Sequence, residues 1–407
     1  MDVDVVVGGG GLVGLPLAIA LARGGLSVAI ADPAPKTEVL AAAYDGRVSA
    51  LAYASVRMAR ALGVWTHLEA DAQPIDEILV TDAALDQAPS PFSLHFDHGE
   101  IGTVPLGVIA ENRHIRQALY RVAEATAGLT IIAPAAVKAL ASDAQRIKAY
   151  LSDGQEISAR LAVAADGRES PLRESMGISV VQWSYPQQGI VTTVHHEHPH
   201  RGVAYEHFLP SGPFAILPMT GNRSSLVWTE RNEVARRMMA LDHAGFDAEI
   251  ARRFGAHLGS TRAEALRWSY PLRFHLARAY VRPRFALAGD AAHGIHPIAG
   301  QGLNLGLKDA AALADVILEA AALGLDIGAL HVLARYERWR RFDSFTMAAS
   351  TDALNRLFSN DIAPLRLARG LGLAIVDQIG PLRRFFMRQA GGDLGDLPTL
   401  MREDAAG

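Results

Sequence analysis

Short apolar runs separated by glycines dominate the start of the chain. Residues 3–7 are mostly β-branched, as in a strand of a parallel sheet that is covered on both faces. Residues 12–23 have helical character and end at Gly24 and Gly25, and residues 26–31 form a second apolar run that ends at Asp32. The order strand, glycine turn, helix and strand predicts a βαβ unit with a right-handed crossover.

Two later parts of the chain show the alternating pattern of antiparallel strands. The strands predicted there are residues 78–80, 92–96, 190–196, 203–209, 214–217 and 225–229. Further strands are predicted at 131–132 and 161–165 and a buried strand at 285–288. Helices are predicted at 115–127, 235–254, 302–323 and through most of the chain after 330. We therefore predict an α/β fold. A discontinuous parallel-sheet domain (1–74, 106–180 and 271–330) is interrupted by an antiparallel-sheet domain (75–105 and 181–270) and followed by a C-terminal helical region (331–407).

The composition narrows the class of protein. Half of the 407 residues are apolar and a fifth are charged, which is typical of a globular protein. The 39 Lys and Arg nearly balance the 43 Asp and Glu, so we expect no nucleic-acid partner. The absence of cysteine excludes disulfides, thiolate metal sites and a Cys nucleophile. Residues 5–22 carry no charge, but the acidic flank before them and the glycines within them argue against a signal peptide or a membrane span.

A glycine motif lies between the first predicted strand and helix. Gly9, Gly11 and Gly14 have the GxGxxG spacing, which permits a tight turn, the approach of a pyrophosphate to the backbone and close packing of helix on strand. Asp32 ends the second strand, where a carboxylate accepts hydrogen bonds from a ribose. The combination predicts a dinucleotide site, although the motif alone does not separate NAD from FAD.

Two further strand ends carry an acidic residue beside a glycine. Asp166 and Gly167 follow one predicted strand, and Gly289 and Asp290 follow another. Each pair alone is typical of an ordinary turn. After the second pair, residues 296–309 read His-Pro-Ile-Ala-Gly-Gln-Gly-Leu-Asn-Leu-Gly-Leu-Lys-Asp. Together with the glycine motif, this order of signals is too specific for unrelated turns.

Here the chain resembles a known family, the FAD-dependent aromatic hydroxylases related to para-hydroxybenzoate hydroxylase. It is most similar to the branch that acts in ubiquinone biosynthesis, whose signature residues 296–309 match at every fixed position. The resemblance covers nearly the whole chain, with further matches at 45–47, 49–51, 111–113, 204–206, 212–218 and 397–401. The chain departs from the family pattern at Gly8, Ala164 and His207.

The resemblance implies a Rossmann-like FAD-binding domain and assigns residues to the cofactor. Gly9, Gly11 and Gly14 would hold the pyrophosphate and Asp32 the adenosine ribose, and Asp290, after Gly289, would accept a hydrogen bond from the ribityl chain. Arg47, Arg113 and Asp166 would lie along the cofactor. The backbone of Gly300, Gln301, Gly302, Leu303 and Asn304 would approach the N1–C2=O edge of the flavin, where a helix N-terminus stabilises negative charge. His293 and Pro297 are the candidates closest to the flavin.

The activity implied is hydroxylation of the aromatic ring of a polyprenylated ubiquinone precursor through a C4a-hydroperoxyflavin. O2 is then a co-substrate, NAD(P)H or a redox protein donates electrons, and no covalent catalytic side chain is expected. Phe214 and Leu217 are candidates to contact the substrate, or else ordinary core residues of their strand. The alternatives are a hydroxylase or epoxidase of the same fold acting on another phenol or polyene, and a non-catalytic flavin-bound subunit of a biosynthetic complex.

Two remaining features concern metals and membranes. His195, His196, His198 and His200 crowd a short stretch, but Pro199 breaks the strand pattern and no carboxylates accompany them, so we expect no metal site. Residues 364–401 combine basic and bulky apolar side chains, which suits either a helix at a membrane surface or a helix that packs on a domain or a partner. We expect a cytoplasmic protein with at most a peripheral contact to the inner membrane and a partner complex in ubiquinone biosynthesis.

Overall fold

Two large sheets, a small sheet and ten helices make up the part of the chain described here by a computed structural model. The structure describes residues 1–41, 43, 45–82, 85, 93–359, 369, 372, 375–393 and 395–403, with only the backbone of Ala299. Phe92, at the start of one predicted strand, and parts of the predicted C-terminal region, including residues 360–368, lie outside the described residues.

The first sheet has a parallel core and is built around the first strand. Its order is β17 (Val281–Arg282), β18 (Phe285–Leu287), β11 (Glu156–Ala164), β1 (Asp2–Gly8), β2 (Val28–Ala31) and β8 (Leu129–Ile132). β9 (Val137–Ser142) and β10 (Ile147–Leu151) form an antiparallel ribbon on β11. β1 pairs in parallel with β2 on one side and β11 on the other, so its valines are covered on both faces. The predicted βαβ unit is present.

Helices pack on the first sheet and form the main core with it. They are α1 (Gly14–Arg23), α2 (Lys36–Val39), α3 (Tyr53–Ala61), α4 (Asn112–Ala125), α5 (Pro171–Ser175), α8 (Gln301–Ala322) and the first half of α9 (Leu330–Phe358). The apolar spacing of α1 buries nearly all of its residues between β1 and α8.

The second sheet is mostly antiparallel. Its order is β19 (His293–Gly294), β16 (Thr261–Ala277), β12 (Val180–His196), β15 (Arg223–Arg231), β14 (Gly212–Met219), β13 (Val203–Leu209), β5 (Glu77–Asp82) and β6 (Ser93–Asp97). The helices α6 (Asn232–Ala240) and α7 (His243–Phe254) cover one face, where Phe214, Trp228 and Phe246 are buried together. The opposite face is turned toward the first domain.

A small sheet joins the two large ones. It contains β3 (Val48–Ala52), β7 (Gly107–Glu111) and β4 (Ala72–Ile75). The apolar side chains of Ile75 and Ile109 pack against Ala204 and Met219 of the second sheet. Toward the C-terminal end of the chain, α10 (Gly380–Ala390) packs through Met387 on β6, the edge strand of the second sheet.

The α/β architecture agrees with the sequence prediction, and the differences are local. The single helix expected at 235–254 is two helices, because Leu241 is extended between them and Asp242 caps the second by accepting a hydrogen bond from Gly245 N. Eight of the described strands had no predicted counterpart: β3, β4, β7, β9, β10, β16, β17 and β19. β16 is seventeen residues long and continues to Ala277, past the boundary expected at 271; the three-part domain division itself stays a prediction.

Candidate cofactor site

Three separate chain segments meet around one side chain, Val13. A Cβ placed on Gly289 would lie 3.0 Å from Val13 Cγ2, and one placed on Gly306 would lie 2.8 Å from the same atom. The Gly306 position is also 3.1 Å from the Cα of Gly289. The glycine loop, the end of β18 and the first turns of α8 therefore converge, and only glycine fits where they touch.

The glycine loop after β1 has the geometry of a dinucleotide turn. Gly9 has φ +105°, and a Cβ there would lie 2.3 Å from the carbonyl oxygen of Ala165. A Cβ on Gly14 would lie 1.9 Å from the carbonyl oxygen of Gly9. A Cβ on Gly11 would meet no described atom within 4 Å, so its backbone borders open space at the start of α1. Two glycines are thus needed for packing, and the third leaves room for a ligand.

Asp32 faces this loop from the end of β2. Its Oδ2 accepts a hydrogen bond from Gly10 N at 2.6 Å, and its Oδ1 accepts one from Ala34 N at 2.8 Å. The carboxylate is therefore held beside the glycine loop with lone pairs left for a further donor. This is the position in which the sequence placed a ribose-binding carboxylate.

The start of α8 is shaped by Gly300 and Asn304. Gly300 is at the N-cap in the left-handed conformation, with φ +62°. The Asn304 side chain accepts hydrogen bonds from Ala52 N and Ser55 Oγ, both at 2.8 Å, and donates to the carbonyl oxygen of Ala50 at 2.8 Å. The side chain of Asn304 therefore ties the first turn of α8 to β3, a role that the sequence did not indicate.

Open space borders the first turn of α8 at Gly302. A Cβ on Gly302 would meet no described atom within 4 Å. Gly300 has no side chain with which to cap the helix, so the first-turn amides point outward without intrahelical acceptors. Gln301 donates from Nε2 to the carbonyl oxygen of Ala390 at 3.2 Å, and Leu303 packs against the main core.

A buried ionic cluster lies behind Gly289. Asp309 Oδ2 accepts from Gly289 N at 3.1 Å and lies 2.5 Å from His293 Nε2, while Oδ1 accepts from Arg340 Nε at 2.8 Å. Burial raises the pKa of Asp309, but His293 and Arg340 outweigh it and hold that pKa below its usual value. His293, a candidate for the flavin site, thus has one ring nitrogen engaged with a carboxylate.

Asp290 and Pro297 border the opening, with buried histidines next to them. The Asp290 side chain is 52 % exposed, and its carbonyl oxygen accepts from His275 Nε2 at 2.8 Å. Burial lowers the pKa of His275 to about 4. His296, beside Pro297, is fully buried with no hydrogen bond to either ring nitrogen from any residue that the structure describes, and burial lowers its pKa to about 4. Both rings are neutral at neutral pH.

The two predicted arginines lie at the same end of the small sheet. Asn112 N donates to the carbonyl oxygen of Arg47 at 2.9 Å, which places Arg47 beside the segment that holds Arg113. The Arg47 side chain is 63 % exposed and pairs with Asp45 at 2.6 Å. Arg113 Nε lies 2.7 Å from Glu111 Oε2. Both guanidinium groups are therefore partly engaged by carboxylates.

Asp166 is directed toward α5. Its Oδ1 accepts from Ser170 Oγ at 2.5 Å and its Oδ2 accepts from Leu172 N at 3.2 Å. Burial raises the pKa of Asp166 by more than these hydrogen bonds lower it. Only the backbone of Asp166 approaches the glycine loop, since a Cβ on Gly9 would lie 2.9 Å from Asp166 N. The side chain thus fixes the local turn.

The two predicted substrate contacts point in opposite directions. Phe214 is fully buried under α7 with Trp228, whereas Leu217, three residues along β14, packs on the other face with Ala204 and Met219. The structure therefore brings Leu217, and not Phe214, to the face that is turned toward the cofactor loops. The same face carries Glu206, which belongs to the family motif at 204–206 and was not among the predicted site residues.

The crowded histidines and the C-terminal helix lie elsewhere. His196 and His200 use ring nitrogens on the carbonyl oxygens of His198 and Met219, at 2.7 Å and 2.8 Å. On α10, Phe385 is 51 % exposed and Phe386 is 41 % exposed. None of the described helices is both long and apolar enough to cross a bilayer.

Comparisons with known sequences find relatives over nearly the whole chain. The profile of the family described as FAD binding domain matches residues 2–341. The chain is 51% identical over 402 residues to ubiquinone hydroxylase UbiL of Rhodospirillum rubrum, covering 98% of this chain and 92% of that protein. It is 35% identical over 393 residues to 3-demethoxyubiquinol 3-hydroxylase of Escherichia coli, covering 96% of this chain and 98% of that protein.

Solved structures show the same fold. p-Nitrophenol 4-monooxygenase PnpA of Pseudomonas putida aligns with a TM-score of 0.79 at 18% identity, covering 97% of this chain and all of that one. The Mus musculus protein named ubiquinone biosynthesis monooxygenase COQ6 is a further relative, 32% identical with 94% of this chain and 90% of that protein covered. Together with the glycine loop after β1, these similarities show that the chain belongs to the family of FAD-binding monooxygenases that includes the ubiquinone hydroxylases.

Proposed function

We propose that this FAD-dependent monooxygenase hydroxylates the aromatic ring of a polyprenylated ubiquinone precursor. The observation that carries the proposal is the position of the start of α8. Gly300 approaches Ala50, and the neighbouring Ile298 packs with Phe208 of the second sheet. The opening at Gly302 is therefore next to an apolar wall, which suits a ring substrate with a hydrocarbon tail.

The residues around the opening fit FAD. Gly11 and Gly302 each border open space at the start of a helix, and Val13 and Gly300, at the two N-cap positions, carry no polar side chain that could satisfy the first-turn amides. The pyrophosphate would lie at the first helix and the pyrimidine edge of the flavin at the second. Further residues would hold the cofactor, by backbone or side chain: Gly9, Gly14, Asp32, Arg47, Arg113, Asp166, Gly289, Asp290, Pro297, Gln301, Leu303 and Asn304.

FAD, when bound and reduced, supplies the activation of O2 that an aromatic hydroxylation needs. The protein's own contribution is to bind, orient and exclude water. Asn304 fixes the first turn of α8 against β3, and Asp309 fixes the backbone of Gly289. The cluster of Leu94, Phe96, Phe208, Ile298 and Met387 keeps water from one side of the opening. We propose no covalent catalytic side chain.

We further propose NAD(P)H or a redox protein as the electron donor. The sequence contains no second GxGxxG motif between a strand and a helix that would build a separate nicotinamide domain. A nicotinamide would then dock only transiently. Stopped-flow reduction of the FAD-loaded protein by NADH, NADPH and a ferredoxin with its reductase would tell these donors apart.

The test of the function uses the FAD-loaded protein. It is reduced chemically, separated from the reductant and mixed with O2 and 2-prenylphenol. A product heavier by one oxygen atom, labelled from ¹⁸O2, is expected. Complementation of bacterial strains that are each blocked at one ring-hydroxylation step, with quinone intermediates identified by mass, assigns the ring carbon. Reoxidation without product from any phenol or polyene tried would favour a non-catalytic flavin-bound subunit.

We also propose that α10 lies against a membrane surface, where a polyprenylated substrate resides. Phe385 and Phe386 are exposed beside Arg384 and Arg388, and a depression of 220 Å³ lies between Phe385 and these arginines. Exposed aromatic rings next to cationic side chains match the polarity of an anionic lipid surface. Contact with a partner in a biosynthetic complex is the other use of this surface that we consider.

A further inference from the structure

Glu206 lies in the middle of β13, on the sheet face that is turned toward the cofactor loops. Side chains alternate along a strand, so Glu206 shares this face with Ala204 and Phe208. Ala204 belongs to an apolar cluster with Ile109 of the small sheet, and Phe208 belongs to one with Ile298, next to the start of α8. Glu206 is therefore held between two clusters that both reach the FAD-binding domain.

The immediate surroundings of Glu206 are apolar. Its cross-strand neighbours are Val80 on β5 and Ala215 on β14, and Ile78 and Leu217 lie diagonally on the same face. No residue that the structure describes forms a hydrogen bond or ion pair with the Glu206 carboxyl group. A carboxyl group in such a place costs free energy unless a ligand supplies its partner.

The charged groups that line this face are already paired with one another. Asp82, at the end of β5, pairs with Arg369 at 3.2 Å. Arg223, on β15, pairs with Glu111 of the small sheet at 3.2 Å. Neither pair contacts Glu206, and burial alone raises the pKa of Glu206 to about 8.

On the basis of this geometry, and resting on the proposed function, we propose that Glu206 is the base that accepts the proton of the substrate's phenolic hydroxyl group. The ring would lie between the Glu206 face of the second sheet and the start of α8. The phenolic O–H bond breaks, its electron pair stays on the phenolic oxygen, and the proton forms a new O–H bond on the Glu206 carboxylate. Once the ring carbon carries its new C–O bond, the proton of that carbon leaves to solvent as the ring regains aromaticity. The Glu206 proton returns to the phenolic oxygen, so the carboxylate is restored.

Deprotonation of the phenol is a role for Glu206 in the reaction itself, separate from the binding of FAD. A phenolate is a stronger nucleophile than a phenol, and the pKa of a phenol is about 10. A base whose pKa lies between neutrality and that value can take the proton without a large uphill step. Tyr205 and His207, the neighbours in sequence, point to the other face, toward α7, and His207 bonds Thr81 Oγ1 at 2.7 Å.

The experiment compares the FAD-loaded wild-type protein with Glu206→Gln, Glu206→Asp and a matched control, Glu77→Gln. Glu77 is on the opposite face of the same sheet and pairs with His95. Each chemically reduced protein is mixed with O2 and 2-prenylphenol in a single turnover from pH 6 to 10. Product is measured by mass, FAD content by visible absorbance, and the dissociation constant of 2-prenylphenol by perturbation of that absorbance.

In the wild-type protein and in Glu77→Gln, the rate of product formation is expected to rise with pH around a midpoint near 8. Glu206→Gln is expected to keep its FAD, to bind 2-prenylphenol within about threefold, and to lose about 100-fold in rate at pH 8. Its remaining rate should rise only near pH 10, where the phenol ionises by itself. Glu206→Asp is expected to regain part of the rate and a rise below pH 10.

Three results would overturn the proposal. An unchanged rate and pH profile in Glu206→Gln, with an active wild-type protein, removes Glu206 from the reaction while the proposed function stands. Loss of FAD from Glu206→Gln makes the residue structural. Absence of product from the wild-type protein itself removes the proposed function, and the role of Glu206 with it.

Discussion

Asp309 and Arg340 form an ion pair with no exposed surface on either side chain, with Arg340 Nε 2.8 Å from Asp309 Oδ1. The same carboxylate accepts from Gly289 N, one residue before Asp290. An internal ion pair therefore holds the backbone that follows β18, next to the glycine loop. The pair connects α8 to α9, which extends into the C-terminal region.

Removing the charge of Asp309 should destabilise the whole chain. Asp309→Asn leaves the buried guanidinium of Arg340 without its main counter-charge, and breaking such a pair costs about 3–5 kcal/mol. The matched control is Asp343→Asn, because Asp343 bonds the same arginine but is 35% exposed, and should cost less than about 1 kcal/mol. Urea denaturation of the two variants measures both. Equal losses would mean that burial of Asp309 is not the source of the effect.

The same carboxylate should contribute to acid sensitivity. The folded-state pKa of Asp309 lies below its usual value, so its stabilising effect is complete above about pH 4 and is lost as the pH falls through the folded pKa. Wild-type stability is therefore expected to fall more steeply below pH 4 than the stability of Asp309→Asn. Thermal unfolding between pH 5 and 3 checks this. Parallel curves for the two proteins would contradict it.

Gly302 tests the opening at the start of α8. A Cβ there meets no described atom within 4 Å, so Gly302→Val should leave the cofactor-free fold intact while blocking FAD. Gly102→Val is the control, since a Cβ at Gly102 also meets no described atom within 4 Å and Gly102 is not in α8. The ratio of flavin absorbance to protein absorbance after purification should fall at least tenfold only for Gly302→Val. Full flavin in both variants would place the isoalloxazine elsewhere.

Asn304 tests the link between α8 and β3. Asn304→Ala removes four hydrogen bonds and leaves the buried Ala52 N without a partner, whereas Ser55→Ala removes only one of the four. We expect a loss of about 1–3 kcal/mol for Asn304→Ala and less for Ser55→Ala. Flavin affinity from equilibrium dialysis should follow the same order, because the first turn of α8 shifts. An Asn304→Ala protein with unchanged flavin affinity would separate the link from the site.

The exposed aromatic rings of α10 test the membrane contact. Replacing Phe385 and Phe386 with Ser removes the apolar part of the surface without entering the core, so binding to vesicles of phosphatidylglycerol and phosphatidylethanolamine should fall several-fold. Leu266→Ser, at a 56 % exposed position on β16, is the control. Co-sedimentation measures the binding. Equal sedimentation of both variants would favour a partner-docking role for α10.

Local sequence was sufficient to predict the glycine turn after β1. The spacing of Gly9, Gly11 and Gly14 reflects steric requirements of a single turn, so it predicts that turn without knowledge of the rest of the chain. The apolar periodicities of α1 and α8 likewise predicted two helices that the structure confirms within one or two residues of the expected ends. The family motifs supported the α/β class and the monooxygenase identity.

The apolar pattern of β14 did not predict which of its side chains point to which face of the sheet. The run at 214–217 is apolar at every position, so nothing in it tells which residues face α7 and which face the cofactor loops. The register of β14 against β13 and β15 places Phe214 on one face and Leu217 on the other. The acidic residue Glu206 in β13 was an available signal for that face.

The sequence by itself determined where the chain must turn tightly after β1, the strands and helix of the βαβ unit, and to which family the chain belongs, because these depend on neighbouring residues and on motifs of short span. The tertiary structure alone decided that Asn304 binds β3, that Asp309 pairs with Arg340 and that Glu206 shares a sheet face with Val80 of β5 and Ala215 of β14. Each of these contacts joins residues that are far apart in the chain or on different sheets. Their distances arise only when the sheets and helices pack together.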